Sequence, residues 1–199
     1  MNSNELNIEL LISAYAQGFF PMAVDQKQIH WYNPDPRAII PLENYHPSKS
    51  LKSILKKGDF EIHLNTSFRK VMEMCSLPRD INDGQWINSE MIDKYCELNK
   101  MGLAHSVEVY MDDELSGGLY GVQLGSAFFG ESMFYIKPNA SKIAFYYLIE
   151  ILRKNNFSLL DTQFINDNVK RFGAIEISKN AYLSRLEKAI TEYQKFSLP

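Results

Sequence analysis

Glu131 lies between two apolar residues in a run that alternates like a strand. In Phe129-Gly130-Glu131-Ser132-Met133, residues two apart share one face, so the Glu131 carboxyl group points to the same side as Phe129 and Met133. Burial between such neighbours raises the pKa of a carboxyl group unless a cation or a hydrogen-bond donor compensates. The pattern therefore predicts a buried acid that suits an ammonium ligand.

A second polar pair, Asp161 and Gln163, lies in the strand-like run 157–164. The two residues share one face of the predicted strand, whereas Leu160 and Thr162 point into the opposite layer. A carboxylate next to an amide can belong to a reactive site. It can equally be a structural hydrogen-bond acceptor at a strand end, and spacing alone leaves both roles open.

These residues lie in the later part of a predicted α+β fold. From Ala104 the apolar period changes from helical to two, and the runs 106–110, 115–122 and 126–134 have the spacing of an antiparallel meander. A helix (141–154), a strand (157–164), a short helix (167–171), a strand (174–178) and a closing helix (181–193) follow. This running order is that of a GNAT-like acyltransferase domain, which we place at 61–199.

Residues 1–60 are predicted to form a small N-terminal α/β lobe. Apolar residues at helical spacing predict a helix from Glu5 to Gln17, and the prolines of 31–41 predict an ordered loop that leads into a short strand. A short helix, 48–57, ends at Gly58. Between the lobe and the meander we expect a strand at 59–64 and helices at 67–75 and 88–99.

The predicted helix 48–57 is basic, although the formal net charge of the chain is −3. It carries Lys49, Lys52, Lys56 and Lys57, and no acid occurs from Asn44 to Gly58. Nucleic-acid binding depends on local positive potential, so a basic face on an acidic protein is sufficient for it. A solvated lysine face is the other interpretation.

The composition is that of an ordinary globular protein, with 45% hydrophobic and 23% charged residues in 199. The N-terminus has no basic start followed by an apolar run, and no segment is long enough to span a bilayer, so we expect a cytoplasmic protein without a membrane partner. Cys75 and Cys96 have no metal-ligand spacing. We expect two reduced thiols, no metal and no cofactor.

The turn before the predicted helix 141–154 bears on the acyl donor. Enzymes of this fold type that use coenzyme A hold its pyrophosphate on a glycine-rich turn, whereas residues 135–142 here contain no glycine. A coenzyme A site is therefore not expected. Ser141 at the helix start can still receive a phosphate of another donor, such as an aminoacyl-tRNA, or can simply cap the helix.

Several longer strings make the chain similar to one family. They are Tyr15-Ala16-Gln17-Gly18-Phe19-Phe20-Pro21, Trp31-Tyr32-Asn33-Pro34-Asp35-Pro36-Arg37, Trp86-Ile87, Ala104-His105-Ser106-Val107-Glu108, Gly117-Gly118-Leu119-Tyr120-Gly121-Val122, Phe129-Gly130-Glu131-Ser132-Met133-Phe134, Ala140-Ser141-Lys142 and Leu160-Asp161-Thr162-Gln163. In this order they resemble leucyl/phenylalanyl-tRNA–protein transferases over about residues 10 to 185. The resemblance implies transfer of leucine or phenylalanine, with methionine as a third candidate, from aminoacyl-tRNA to proteins that begin with arginine or lysine. Such transfer marks those proteins for degradation by the N-degron pathway.

The resemblance also implies roles for single residues. Asp161, acting with Gln163, is expected to orient and deprotonate the acceptor amine, while Glu131 holds the site or the donor's ammonium. The substrate-binding residues that it implies are Trp86, which stacks on the terminal adenosine, Tyr95, Met22, and an apolar pocket formed by Leu119, Phe128, Met133 and residues of the helix that follows the meander. Ser141 is the further candidate from its position at the start of that helix. The implied tRNA contacts are the four lysines and Arg37.

Two departures and two alternatives remain. Met22 stands where the family commonly has a second tryptophan against the adenosine, and the segment ahead of the first helix is shorter than usual. One alternative is a coenzyme A dependent N-acetyltransferase of the same fold. The other is a non-catalytic module that binds tRNA or a peptide.

Overall fold

The computed structural model describes residues 6–25, 28–78 and 86–199. The helices in these ranges are α1 (Ile8–Ala16), α2 (Lys49–Lys57), α3 (Phe68–Ser76), α4 (Ser89–Lys100), α5 (Ala140–Lys154), α6 (Asp167–Arg171) and α7 (Lys179–Ala189). The strands are β1 (Phe20–Ala23), β2 (Ile29–Tyr32), β3 (Arg37–Ile39), β4 (Glu61–Leu64), β5 (Ala104–Met111), β6 (Glu114–Leu124), β7 (Ala127–Tyr135), β8 (Leu159–Gln163) and β9 (Ile175–Ile177). The predicted α+β class is confirmed.

One large sheet organises the molecule. Its strand order is β4-β5-β6-β7-β8-β3-β9, and β7 and β8 are its parallel neighbours. The predicted meander is present as β5, β6 and β7, and α5 provides the crossover from β7 to β8. Meander, helix and parallel strand therefore follow one another in the order that the sequence predicted.

Helix bounds follow local capping. The Ser48 side chain accepts a hydrogen bond from the Leu51 N–H at the start of α2, and Gly58 ends the helix with a φ of 73°. α7 begins at Lys179, two residues before the predicted start, because Ser178 caps it. Glu5, the predicted start of the first helix, lies outside the described residues.

The sheet separates two apolar clusters. One lies between the sheet and helices α1, α3, α4 and α7, and it includes Tyr15, Tyr95 and Phe129. The other lies under α2 and α5 and includes Leu119 and Leu148. Gly117 allows the start of α5 to approach β6, since a Cβ there would lie 2.5 Å from the Cβ of Ala140. This close contact explains one glycine of the Gly117-Gly118 string.

The N-terminal segment adds strands in two places. β1 pairs with β2 in a separate two-stranded sheet, and the predicted loop 31–41 contains β3, which pairs with β8 and β9 of the large sheet. The division of the chain near residue 60 stays a prediction, but part of the proposed small lobe is a strand of the main sheet. None of the helices in the described ranges is long and apolar enough to cross a membrane.

Candidate active site

A pocket opens where the two parallel strands separate. β7 and β8 pair only from Ala127/Leu159 to Phe129/Asp161. Beyond that point, Gly130 and Glu131 of β7 and Thr162 and Gln163 of β8 line a cavity of about 270 Å³. This volume is near the lower end of the range of about 300 to 1,000 Å³ for small-molecule sites.

The pocket is lined from both sides of the sheet. On the α5 side its wall is apolar and buried, and it consists of Leu119, Phe145, Leu148 and Leu160. On the other side and at the mouth it is lined by Phe20, Met22, Trp86, Tyr120 and Phe164. The opening between β7 and β8 thus joins an apolar chamber to an aromatic mouth.

Glu131 owes its position to a β-bulge. Tyr120 of β6 pairs with Ser132 and Gly121 pairs with Gly130, so that Glu131 is the extra residue on β7. Bulges re-aim side chains and occur often beside active sites. This one also shifts the alternation of the strand, because Met133 packs against the α5-side cluster whereas Phe129 lies in the opposite one. The predicted common face of Phe129, Glu131 and Met133 is therefore wrong for Met133.

Two donors hold one oxygen of the Glu131 carboxyl group. Its Oε1 accepts hydrogen bonds from the Tyr15 hydroxyl at 2.7 Å and from the Gln163 Nε2 at 2.9 Å. Its Oε2 has no hydrogen-bond partner among the described residues. Burial raises the pKa of Glu131 to about 8, although these hydrogen bonds lower it. The predicted direction of this pKa shift is confirmed.

Gln163 ends β8 in a conformation that is uncommon for its residue type. Its φ is 63°, in the left-handed region. Its backbone N–H donates to Asp161 Oδ1 at 2.9 Å, and its side chain reaches Glu131. Backbone strain of this kind persists where the surroundings impose it, often at functional sites. The strand end is therefore shaped by the carboxylate of Asp161.

Asp161 and Arg37 form a fully buried ion pair behind the pocket. Arg37 Nε donates to Asp161 Oδ1 at 2.9 Å and its Nη2 donates to Oδ2 at 2.6 Å, and both side chains are 0% exposed. The Tyr182 hydroxyl also donates to Oδ2, at 2.7 Å. Burial lowers the pKa of Arg37, but its hydrogen bonds to Asp161 and the negative charge raise it overall. Asp161 does not line the pocket.

This arrangement corrects one predicted role and changes another. The prediction that Arg37 contacts tRNA does not fit, because a guanidinium group with no exposed surface cannot reach a phosphate while the pair is intact. Asp161 and Gln163 come together as predicted. However, both oxygens of Asp161 are occupied by donors, which leaves this acid no access to a substrate amine.

The predicted substrate residues divide into two groups. Met22, Trp86, Leu119 and Met133 line the pocket. Three others lie outside it: Tyr95 is buried behind Glu131, Phe128 stacks on Phe196 with ring centroids 5.4 Å apart, and Ser141 is the second residue of α5, whose N-cap position is Asn139. The two-residue alternation places Phe128 in the core of the sheet, where its ring fills the space next to Gly121.

The four predicted tRNA-binding lysines are all exposed on α2. Lys49, Lys52 and Lys56 follow one another at spacings of three and four, which places them on one face of the helix. α2 packs against α5, the helix that contributes Phe145 and Leu148 to the pocket. A basic surface therefore adjoins the layer that forms the apolar chamber.

Several site residues were not predicted. Tyr15 and Tyr182 hold Glu131 and Asp161, and Phe164 lines the pocket. Phe145 and Leu148 also line it; the prediction included the helix that carries them but did not name these two residues. Tyr15 lies in one of the family strings but fits the apolar face of a helix equally well. Its polar role could not be distinguished without knowing that α1 lies against β7.

An antiparallel meander, a crossover helix and a parallel strand that separates from the meander around an apolar pocket define a GNAT-like fold. Comparison with known sequences is more specific. The family model described as "Leucyl/phenylalanyl-tRNA protein transferase" matches residues 39–187, and that of the N-terminal domain of the same family matches residues 4–35. This chain belongs to the leucyl/phenylalanyl-tRNA–protein transferase family.

Curated relatives agree over nearly the whole chain. A leucyl/phenylalanyl-tRNA–protein transferase of Chlorobaculum parvum is 45% identical over 94% of this chain and 97% of its own length. One of Paramagnetospirillum magneticum is 47% identical over 94% of this chain and 90% of its own. Among solved structures, the C-terminal domain of a putative lysylphosphatidylglycerol synthetase from Agrobacterium fabrum has a TM-score of 0.44 at 10% identity, covering 92% of this chain and 62% of that one.

Proposed function

We propose that this chain transfers leucine or phenylalanine, with methionine as a third candidate, from aminoacyl-tRNA to the α-amine of an acceptor protein. Membership in the family supports the reaction type. The observation that carries the proposal is the pocket, which combines apolar walls with Glu131, a carboxyl group whose pKa is about 8. That value is close to the pKa of an α-amine, about 7.7 to 8.0.

The shape of the pocket suggests how the donor lies in it. The aminoacyl side chain occupies the apolar chamber formed by Leu119, Phe145 and Leu148, and its α-amine faces Glu131 Oε2. An ammonium group at this position favours the ionised form of Glu131, because an opposite charge lowers the pKa of a carboxyl group. The terminal adenosine then lies at the aromatic mouth, between Trp86 and Met22.

The reaction is the aminolysis of an ester. The acceptor nitrogen attacks the aminoacyl carbonyl carbon, the new C–N bond replaces the C–O bond to the ribose 3′ oxygen, and the amine proton ends on that oxygen. A useful fraction of an α-amine is neutral near pH 8, so positioning contributes more than proton removal. Gln163 supplies this positioning. Its Nε2 donates to Glu131, and its Oε1 is left to accept a hydrogen bond from the acceptor amine.

Asp161 acts on this chemistry through Gln163. It accepts the Gln163 N–H and is itself held by Arg37 and Tyr182, so it fixes the end of β8 without touching the substrate. This assignment replaces direct deprotonation by Asp161. We expect Asp161→Ala to lose transfer, because the end of β8 and Gln163 are then no longer held in position.

The tRNA body is proposed to lie along α2. The four exposed lysines of α2 supply phosphate contacts beside the layer that forms the apolar chamber. This position suits the end of a tRNA stem that leads into the 3′ tail. The acceptor proteins are proposed to begin with arginine or lysine, and the transfer would mark these proteins for degradation. A basic N-terminal residue requires an acidic group. Glu131 is the acid among the described residues that line the pocket, whereas Glu108 and Asp161 are fully buried outside that lining.

The test compares donors and acceptors in one assay. Labelled leucine and phenylalanine, each on tRNA, are offered with peptides that begin with arginine, lysine or alanine, and acetyl-coenzyme A is offered in parallel. We expect transfer from tRNA to the arginine and lysine peptides, its loss in Glu131→Gln, and its retention in the exposed control Glu187→Gln. Acetylation would establish the coenzyme A dependent alternative, and tRNA binding without any transfer would establish a binding module.

A further inference from the structure

A chain of hydrogen bonds runs from Glu131 into the protein interior. The Tyr15 hydroxyl on α1 lies 2.7 Å from Glu131 Oε1, and the Tyr95 hydroxyl on α4 lies 2.5 Å from that of Tyr15. Both tyrosines are 0% exposed, and Tyr95 does not line the pocket. Three elements that are far apart in the sequence thus meet behind the carboxyl group.

The geometry determines the direction of each bond. Glu131 Oε1 accepts hydrogen bonds from Gln163 Nε2 and from the Tyr15 hydroxyl. Because Oε1 is an acceptor in both bonds, any proton on the acid is carried by Oε2. A hydroxyl group has one proton to donate. Because the proton of Tyr15 points at Glu131, the short bond between the tyrosines must be donated by Tyr95.

We propose that Tyr95 is a positioning residue that sets the Glu131 carboxyl group through Tyr15. Its hydroxyl fixes the Tyr15 proton towards Oε1 and polarises the Tyr15 hydroxyl, which strengthens the bond to the carboxylate. The effect favours the ionised form of Glu131 against burial. The inference rests on the proposed function for its purpose, which is to keep a carboxylate available to an amine.

Other groups also face Glu131, and their effects on its pKa must be separated from the effect of Tyr95. Asp161 of β8 raises the pKa of Glu131, whereas Arg37 of β3 and Gln163 lower it. The Tyr120 hydroxyl of β6 also lies near Glu131, but it has no hydrogen-bond partner in the part of the chain that the structure describes. Tyr120→Phe therefore removes a buried hydroxyl near the carboxyl group without removing a bond to it.

Direct titration of Glu131 tests the proposal without any transfer assay. Carboxyl-labelled glutamate is followed by NMR in the whole protein, and Glu131→Gln assigns the signal. A hydrogen bond to a charged acceptor contributes about 1.5 to 3 kcal/mol, so Tyr15→Phe should raise the pKa of Glu131 by about 1 to 2 units. Cooperative strengthening of about 10 to 30% per bond predicts a rise of about 0.1 to 0.7 units in Tyr95→Phe. Tyr120→Phe should leave the pKa unchanged.

The double variant separates action through Tyr15 from an independent effect. If Tyr95 acts through Tyr15, Tyr15→Phe/Tyr95→Phe has the same pKa of Glu131 as Tyr15→Phe alone. Additive shifts, or a Tyr95→Phe shift no larger than that of Tyr120→Phe, would overturn the proposal. If the Tyr15 variants do not fold, the comparison of Tyr95→Phe with Tyr120→Phe still decides it.

Transfer rates provide a second, separate measurement. The limb of the pH profile that depends on Glu131 should move to higher pH in Tyr95→Phe, by the shift found in the titration. Tyr45→Phe removes a buried hydroxyl on the α5 side of the sheet, outside the pocket lining, and keeps the ring that packs on Phe145, so it should leave the profile in place. A protein that shows the titration shifts but no transfer would refute the proposed function and leave the relay standing.

Discussion

Replacing Arg37 with methionine should destabilise the fold strongly and reduce transfer, without changing how tRNA binding responds to salt. Arg37 makes two hydrogen bonds to Asp161 and a third, from Nη1 at 2.9 Å, to the Gly18 carbonyl. Its guanidinium group also lies over the ring of Tyr182, 4.5 Å from the centroid. Methionine keeps much of the packing but leaves the Asp161 carboxylate buried without a cation.

The magnitude follows from the complete burial of the pair. Removing one member of a buried ion pair costs about 3 to 5 kcal/mol, because the other charge remains unpaired. That is a large part of a total stability of about 5 to 15 kcal/mol. Arg37→Met/Asp161→Asn should be more stable than Arg37→Met, since it buries no unpaired charge. Arg37→Lys should fall between wild type and Arg37→Met, because lysine keeps the charge but lacks the planar fork.

Urea unfolding and tRNA binding measure the two consequences. The unfolding midpoint should fall in Arg37→Met with an unchanged slope, which indicates a change in stability alone. For binding, the slope of log K against log salt should stay at the wild-type value, whereas Lys52→Ala should reduce it by about 0.7 to 0.9. A loss of stability below about 1 kcal/mol, or a salt slope reduced as in Lys52→Ala, would refute the buried-pair role and restore Arg37 as a phosphate contact.

Three further results are expected. Replacing Lys49, Lys52, Lys56 and Lys57 together with alanine should reduce the salt slope of tRNA binding by about 3, and an unchanged slope would place the tRNA elsewhere. Met22→Trp should tighten the binding of an aminoacyl-adenosine inhibitor, by up to about 1 to 3 kcal/mol of stacking. The pKa of Glu131 is about 8 in the folded protein and about 4.3 when unfolded. Wild type should therefore lose stability relative to Glu131→Gln as the pH rises from about 4 to about 8, which unfolding at pH values across this range measures.

Much of the fold was predictable because its signals are local. The limits of α2 follow from Ser48 and Gly58, and the change of apolar period at Ala104 marks the start of the meander. The strand pairing of β3 could not be predicted, for the opposite reason. β3 lies among prolines, and Ala38 of that strand pairs with Gln163, more than a hundred residues away. No local pattern contains that partner.

The same distinction applies to the site. The direction of the Glu131 pKa shift was predicted from its strand neighbours, of which Phe129 lies on the expected side of the sheet and Met133 on the other. The burial of Arg37, by contrast, depends on Asp161, 124 residues further along the chain. The face of Met133 was predicted wrongly, because the alternation argument assumes an unbroken strand and Glu131 is a bulge. A bulge is visible only once the register with β6 is known.

These long-range contacts have a common physical cause, which is the separation of β7 from β8. A pocket between parallel strands requires that the ladder of backbone hydrogen bonds stops after Phe129 and Asp161, and the strand ends then need other support. The N-terminal segment supplies it, since Arg37 of β3 holds Asp161 and Tyr15 of α1 holds Glu131. The described residues of this segment therefore do more than line the pocket with Phe20 and Met22. They keep it open in a shape that places one carboxyl and one amide group on the substrate side.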